Sequence, residues 1–281
     1  VQPASLARGL RRVAIERGVR LFERSPMRRL ERTRPPLVRT DSGSVRAERV
    51  VLALNAWVAA LPELRRSLVV VTSDVIATPP IPERLRDIDW PDGVGISDSR
   101  LMVNYWRSTH DGRIVFGRGA GGLAYGARIG TRYDGPTPRA GWVLDSFHRL
   151  YPSLGDVTAE SSWRGPIDRS KVGLPFFGPL GGHDSILVGA GYSGNGVGPS
   201  YLGGRILASL TLGLDDQWAA SGLVRRPGGL PPEPARYLGG RGVRAAVARK
   251  ELTEDAGREP RRLDLFLAGL APAALVPLKQ R

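Results

Sequence analysis

The run Ser185-Ile-Leu-Val-Gly-Ala-Gly-Tyr-Ser-Gly-Asn-Gly-Val-Gly-Pro-Ser-Tyr201, continuing to Leu212, constrains this 281-residue chain more than any other segment. Its apolar residues from Ser185 to Val188 predict a buried strand, its glycines a tight turn, and Tyr201 to Leu212 a helix. Gly189, Gly191 and Gly194 fit the GxGxxG pattern, and Asp215 lies roughly twenty residues on, where a ribose-binding carboxylate is sought. After the helix, however, the chain reads Gly213-Leu-Asp-Asp-Gln-Trp-Ala-Ala220, with no second parallel strand ending in the acid. The βαβ unit is incomplete. What the segment retains is physical: glycines admit close backbone approach, and a helix N-terminus turns unpaired N–H groups and a positive dipole end toward an electron-rich acceptor. Packing of a tight strand–helix turn would use the same residues. A second match, Gly117-Arg-Gly-Ala-Gly-Gly122, follows a strand but runs into Leu-Ala-Tyr-Gly-Ala-Arg128, which predicts a flexible loop.

The rest of the chain alternates in texture. Apolar spacing at Leu6, Leu10, Val13 and Ala14 predicts an amphipathic helix from Pro3, stopped at Gly18. Short strands are expected at Val19 to Arg24, Met27 to Thr33 and Leu37 to Thr40, with a turn at Asp41-Ser-Gly43 before Val45. Arg49 to Leu54 reads as a strand of a parallel sheet covered on both faces, ending in the small-residue loop Asn55-Ala-Trp57. Such loops, at the carboxyl ends of strands, are where α/β sheets bind ligands. From Leu68 the pattern becomes β-rich, with strands expected at Leu68 to Thr78, Arg100 to Trp106 and Arg113 to Gly117, then a helix from Gly141 to Tyr151 closed by Pro152. Gly222 to Pro234 reads as a linker before a charged helix from Arg241 to Gly257. No internal repeat of fixed period is visible.

Composition excludes several chemistries. Zero Cys removes disulfides, thiolate metal sites and cysteine nucleophiles, and three His (His110, His148, His183) give little for a metal cluster, so no metal is expected. His110 and His148 read as loop and helix-surface residues, and His183 as a turn residue without a role. With 41% apolar and 24% charged residues the chain is expected to fold and be soluble. The greasiest stretch, Leu263 to Leu278, is broken by Asp264, Pro272 and Pro277 and is not expected to span a membrane. The N-terminus lacks a secretory apolar region, so the expected compartment is the cytoplasm. The net charge of +14 is concentrated at the ends, +9 in residues 1–66 and +6 in residues 222–281. Of 41 basic residues 38 are Arg, scattered among few aromatics, a pattern of solvated surface and not of specific nucleic-acid binding.

Five segments in order carry a resemblance: Pro3-Ala-Ser-Leu through Glu16-Arg-Gly-Val19; Val50-Val-Leu-Ala-Leu-Asn-Ala-Trp57; Tyr105-Trp-Arg107 before Asp111-Gly-Arg-Ile-Val-Phe-Gly117; Trp163-Arg-Gly165 with Gly173-Leu-Pro175; and Gly189 to Val197. Over roughly residues 1–260 the chain resembles the FAD-dependent amine and amino-acid oxidoreductases of the glycine/D-amino-acid oxidase superfamily, nearest their gamma-glutamylputrescine oxidase-like branch. The resemblance implies an α/β fold: an incomplete Rossmann-like FAD/NAD(P)-binding domain with an inserted, largely antiparallel α+β substrate domain. The domain boundaries expected are 1–66 for the second part of the FAD-binding domain, 67–160 for the substrate-binding domain, 161–221 for the C-terminal part of the FAD-binding domain, and 222–281 for a linker and basic helical extension.

It further implies FAD as cofactor and oxidation of a C–N bond in a small amine or amino acid, the substrate carbon losing a hydride to the flavin and the imine then hydrolysing. Electrons would pass on to oxygen or a carrier. Carried over by position, Asn55, Ala56 and Trp57 should lie against the cofactor. Gly191, Tyr192, Ser193, Gly194, Asn195, Gly196 and Val197 should set backbone N–H groups by the pyrimidine end of its ring. Trp163 and Gly165, with Gly173 to Pro175, should border the cavity. Catalytic residues are not assigned; Tyr105 and Arg107 are the candidates for substrate binding, a guanidinium at 107 being able to fork onto a carboxylate or equally to pack a surface. Asn195 stands where related sequences commonly carry His. The chain starts after the family's N-terminal GxGxxG and its first βαβ unit, so it is expected to be a truncated member that binds FAD poorly alone. A non-catalytic remnant and a basic nucleic-acid-binding protein are the rival readings.

Overall fold

The computed structural model describes residues 2–90, 94–119 and 121–271. In chain order the elements are helix α1 (Pro3–Glu16), strands β1 (Arg29–Glu31), β2 (Leu37–Arg39), β3 (Ser44–Arg46), β4 (Val50–Leu52) and β5 (Leu68–Ala77), helix α2 (Pro82–Asp87), strands β6 (Gly95–Ser97), β7 (Asn104–Ser108) and β8 (Ile114–Arg118), helix α3 (Ala140–Leu150), strands β9 (Ser161–Ser170), β10 (Phe176–Leu180) and β11 (His183–Ala190), and helices α4 (Pro199–Leu212), α5 (Ala235–Asp255) and α6 (Arg262–Ala268). They form an α/β chain that divides into two compact units.

One unit comprises residues 1–54, 175–190 and 195–226. Its three-stranded sheet runs β10-β11-β4, with β11 and β4 parallel in the register Leu187↔Val51. β11 is buried from Ile186 to Ala190, as its apolar run requires, and α4 packs against it; Gly189 leaves the space that the Phe177 ring and Leu207 fill. β4 lies at the sheet edge, and Val51 is exposed, so the expected cover on both faces is absent there among the described residues. A small meander β1-β2-β3 completes the unit, together with α1, which ends at Gly18 in the left-handed region (φ 82°). Val19 to Arg24 forms no strand: among the described residues no strand pairs with it, and Arg24 itself is at positive φ. Nor is all of 222–234 a linker, since the N–H of Phe177 donates to the Leu223 carbonyl and the N–H of Arg225 to the Phe177 carbonyl.

The other unit holds residues 55–174, 191–194 and 227–281, described as far as 271. Its sheet is antiparallel throughout, in the order β6-β7-β8-β5-β9. β9 pairs with β5 along all ten residues, so residues 161–170 lie in this sheet and not in the FAD-binding segment expected over 161–221. Pro166, without an N–H, is tolerated because β9 is an edge strand. β7 begins at Asn104 and not at Arg100, because the Asp98 carboxylate accepts the N–H groups of Arg100 and Asn104 and closes a loop over 98–104. α5 starts at Ala235, nearly two turns before the expected Arg241. His183 is the first residue of β11, and the stretch from Leu263 includes α6, with 272–278 outside the described residues. No described helix is long and apolar enough to cross a membrane.

Period-two alternation divides this sheet into an inner and an outer face. On the inner face Ile76, Trp106, Ile114 and Phe116 pack beneath Val143 and Phe147 of α3. The same face carries a cross-strand ion pair. Asp74 (0% exposed) sits opposite Arg164 (6%), whose Nε and Nη2 donate to Oδ1 at 2.9 and 2.8 Å, while Thr137 Oγ1 donates to the same oxygen. Arg164→Leu leaves the buried Asp74 carboxylate without its cation, and the expected loss of roughly 3–5 kcal/mol is measured as a fall in the urea or thermal unfolding midpoint.

Candidate functional site

The outer face of the five-stranded sheet gathers residues from both halves of the sequence pattern. Register sets Val75 opposite both Trp163 and Gly117, with Gly117 opposite Tyr105 in turn, and Arg107 opposite Val115 on the next row. Tyr105, Arg107, Trp163, Gly165, Ile167 and Arg169 therefore share one face. Tyr105 lies flat over Gly117: a Cβ at 117 would fall 2.1 Å from Tyr105 Cζ. Its hydroxyl is 2.8 Å from Ser73 Oγ, which itself donates to the Arg118 carbonyl. Burial raises the phenol's pKa, against a smaller opposing effect of the Ser73 bond. Gly165 has open space where a side chain would stand, and Trp163 beside it is 40% exposed.

Two loops flank this face within the same unit. Asn55, in the left-handed region at φ 49°, opens the short 3-10 helix Asn55–Ala60, which packs on β9 and β5. Ala56, Val58 and Ala59 are wholly buried and leave Trp57 46% exposed. The second is the glycine turn. Gly191, Ser193 and Gly194 are all at positive φ, and Tyr192 bridges to Arg169 at the end of β9.

Asp168 holds that turn. It is 1% exposed; the N–H of Gly191 donates to its carboxylate Oδ2 at 2.5 Å, and the N–H of Ser193 donates to its main-chain carbonyl at 3.0 Å. Ser193 Oγ accepts from the N–H of Ser170 and donates to the Gly191 carbonyl, tying the turn a second time. With those donors turned onto Asp168, the next N–H groups, of Gly194, Asn195, Gly196 and Val197, have no acceptor among the described residues. They lead into α4, whose first turn has neither a side-chain cap nor an acidic residue. Asn195, Gly196 and Val197 belong to the unit that contains α4.

Local sequence patterns do not mark Asp168, because its partners lie 23 residues away. Ser73 escapes notice for the same reason. The other glycine match, 117–122, is tied to β5: the N–H of Thr72 donates to the Gly122 carbonyl, and a Cβ at Gly121 would meet the Thr72 backbone. Its glycines allow close packing. His148 Nε2 bonds the Val157 carbonyl on the surface of α3, His110 lies in the β7–β8 turn, and no described group of acidic and His residues could hold a metal ion. Beside the outer face, under α5, a mostly apolar cavity of about 240 Å³ is lined by Val69, Val71, Leu123, Arg169, Val243 and Arg244.

This architecture is that of a known class of flavoenzyme fold. Glycine oxidase from Geobacillus kaustophilus superposes with a TM-score of 0.60 at 22% identity, over 79% of this chain and 58% of that one. The family model described as DAO, FAD dependent oxidoreductase, matches residues 1–210, and the chain belongs to that family. Gamma-glutamylputrescine oxidoreductase of Escherichia coli (strain K12) is 31% identical over 215 residues, 76% of this chain and 48% of that protein. A probable oxidoreductase, OrdL, of Haemophilus influenzae is 29% identical over 223 residues, 77% of this chain and 48% of its own length. The chain thus spans about half the length of the curated relatives it matches.

Burial raises the Asp168 pKa to about 6, hydrogen bonding from nearby backbone N–H groups, Gly191 first, opposing it only in part. A carboxyl with a folded-state value above its unfolded value near 4 binds more protons when folded, so its contribution to stability declines as pH rises through about 4 to 6 and is constant above. Asp168→Asn removes this titration. The stability difference between wild type and variant, from urea unfolding at stepped pH, is expected to move against the wild type by up to about 3 kcal/mol across that window and then level off.

Proposed function

We propose that the protein carrying this chain oxidises the C–N bond of a small amine or amino acid with FAD as its cofactor. The observation that carries this reading is the turn from Gly191 to Val197: Asp168 holds Gly191 and Ser193, and the N–H donors from Gly194 to Val197 that lead into α4 have no acceptor among the described residues. The described residues fit a flavin in two respects. Each unit offers one such feature on its own: the N–H donors that lead into α4 suit the electron-rich pyrimidine edge of a flavin, and the open space at Gly165 on the antiparallel sheet suits a flat ring. FAD, when bound, supplies the two-electron acceptor.

The chain's own residues supply placement. Asn55, Ala56 and Trp57, Trp163 and Gly165, and the turn residues Gly191 to Val197 are the proposed cofactor contacts. Trp57 and Trp163 present exposed indoles that would exclude water once covered. Tyr105, fixed by Gly117 and Ser73, keeps its proton at neutral pH and can orient a substrate through a hydrogen bond. Arg107, on the same face, is the proposed partner for a substrate carboxylate. The final acceptor is proposed to be oxygen or a carrier, and the compartment the cytoplasm, in keeping with a chain that has no Cys.

Anaerobic titration of the FAD-loaded protein with a panel of amines and amino acids tests the reading: loss of the oxidised flavin's visible absorbance on adding at least one of them is expected, and an unchanged spectrum with all of them would overturn it. Gly191→Val tests the turn. At φ 85° a β-branched residue is strained by ~1–3 kcal/mol, and flavin retained after gel filtration is expected to fall about tenfold or more for that strain, with the circular dichroism spectrum intact.

A further inference from the structure

On the inner side of the sheet, opposite Tyr105 and Trp163, a cavity of about 520 Å³ opens between the loop at Arg100, helix α3 and helix α5. Five guanidinium groups line it, from Arg100, Arg118, Arg139, Arg149 and Arg244, against the two carboxylates of Glu251 and Asp255. Asp255 is committed, since Arg100 Nη1 and Nη2 reach its two oxygens at 2.8 and 2.6 Å. Glu251 uses Oε1 to accept the N–H of Met102, and its buried Oε2 has no partner. Burial pushes the Glu251 pKa up, which weakens it further as a counter-charge.

Arg118 is the deepest of the cations. It is 9% exposed, lies 4.0 Å over the Trp142 ring, and its Nε has no hydrogen-bond acceptor. Its Nη1 donates to Ser146 Oγ, and Arg149 Nη2 donates to the same oxygen at 2.9 Å. Two cations thus share one neutral hydroxyl, and burial, with the nearby Arg149 charge adding to it, disfavours the charged form of Arg118. A buried guanidinium with an unmet N–H is costly, and like charges on one acceptor add to the cost. An oxyanion entering the cavity would remove both penalties, because Arg offers forked donors matched to carboxylate and phosphate oxygens. The indole of Trp142 holds the Arg118 plane in place for such a ligand.

We propose that this cavity is a second ligand site, which binds a small multivalent oxyanion of the phosphate or polycarboxylate class through Arg118 and Arg149. It is separate from the outer face, and its ligand is distinct from an amine substrate. Isothermal titration of the full chain with inorganic phosphate and with citrate, at ionic strength held constant with sodium chloride, tests it. Saturable one-to-one binding of at least one anion is expected, the tighter of the two assigning the class. Arg149→Gln, an exposed position, is expected to weaken it tenfold or more with the unfolding midpoint unchanged, and Arg118→Gln to abolish it, while Arg12→Gln, a charge-matched change in the other unit, leaves it as it was. If Arg118→Gln does not fold, Arg149→Gln alone decides. Failure of both anions to bind saturably, or binding by Arg149→Gln equal to wild type, would overturn the proposal.

Discussion

The carboxylate of Asp168 decides where the glycine turn sits. A backbone stretch with Gly191, Ser193 and Gly194 at positive φ has few internal hydrogen bonds to define it. The Gly191 N–H on the buried carboxylate and the Ser193 N–H on the Asp168 carbonyl supply that definition, and the Ser193 hydroxyl repeats it through Ser170 and Gly191. The cost is a charge held at the end of β9 almost without solvent. Glycine therefore provides the freedom and Asp168 removes it. The N–H groups that follow stay available because those before them are already satisfied.

The five-stranded sheet separates two kinds of chemistry by its pleat. Residues at alternate positions of β5 and β9 build the buried Asp74–Arg164 pair and the aromatic packing against α3, while their neighbours carry Trp163, Gly165 and the Ser73 contact to Tyr105. Rigidity on one side thereby serves position on the other, since Asp74 and Ser73 are consecutive residues of one strand. The ion pair is a poor source of net stability in itself, yet breaking one partner is severe, so it locks the register of the two longest strands.

How far this could be read from the sequence depended on whether a residue's partners were close in the chain. The run from Ser185 to Leu212 was legible because strand, turn and helix are local, and β11 and α4 lie where periodicity set them. β8 and α3 likewise followed their own patterns. β9 was not expected as a strand, because Arg164, Pro166, Asp168 and Arg169 break the apolar alternation; each polar residue is justified only by a partner far away, such as Asp74 or Gly191. Tyr105 and Arg107 could be singled out by resemblance, but the glycine beneath the phenol ring stood in a motif that pointed elsewhere. Val19 to Arg24 looked like a strand on composition, and composition alone does not provide a neighbour to pair with.

The phenol resting on bare backbone at Gly117 couples two positions that are twelve residues apart in the chain. Any side chain there must lift the ring off the sheet, and with it the hydroxyl that Ser73 anchors. Sequence drift at 105 and 117 is consequently a joint event: a methyl group tolerated at one requires a smaller occupant at the other. An engineer reshaping substrate preference would have to treat the two as a single unit of design.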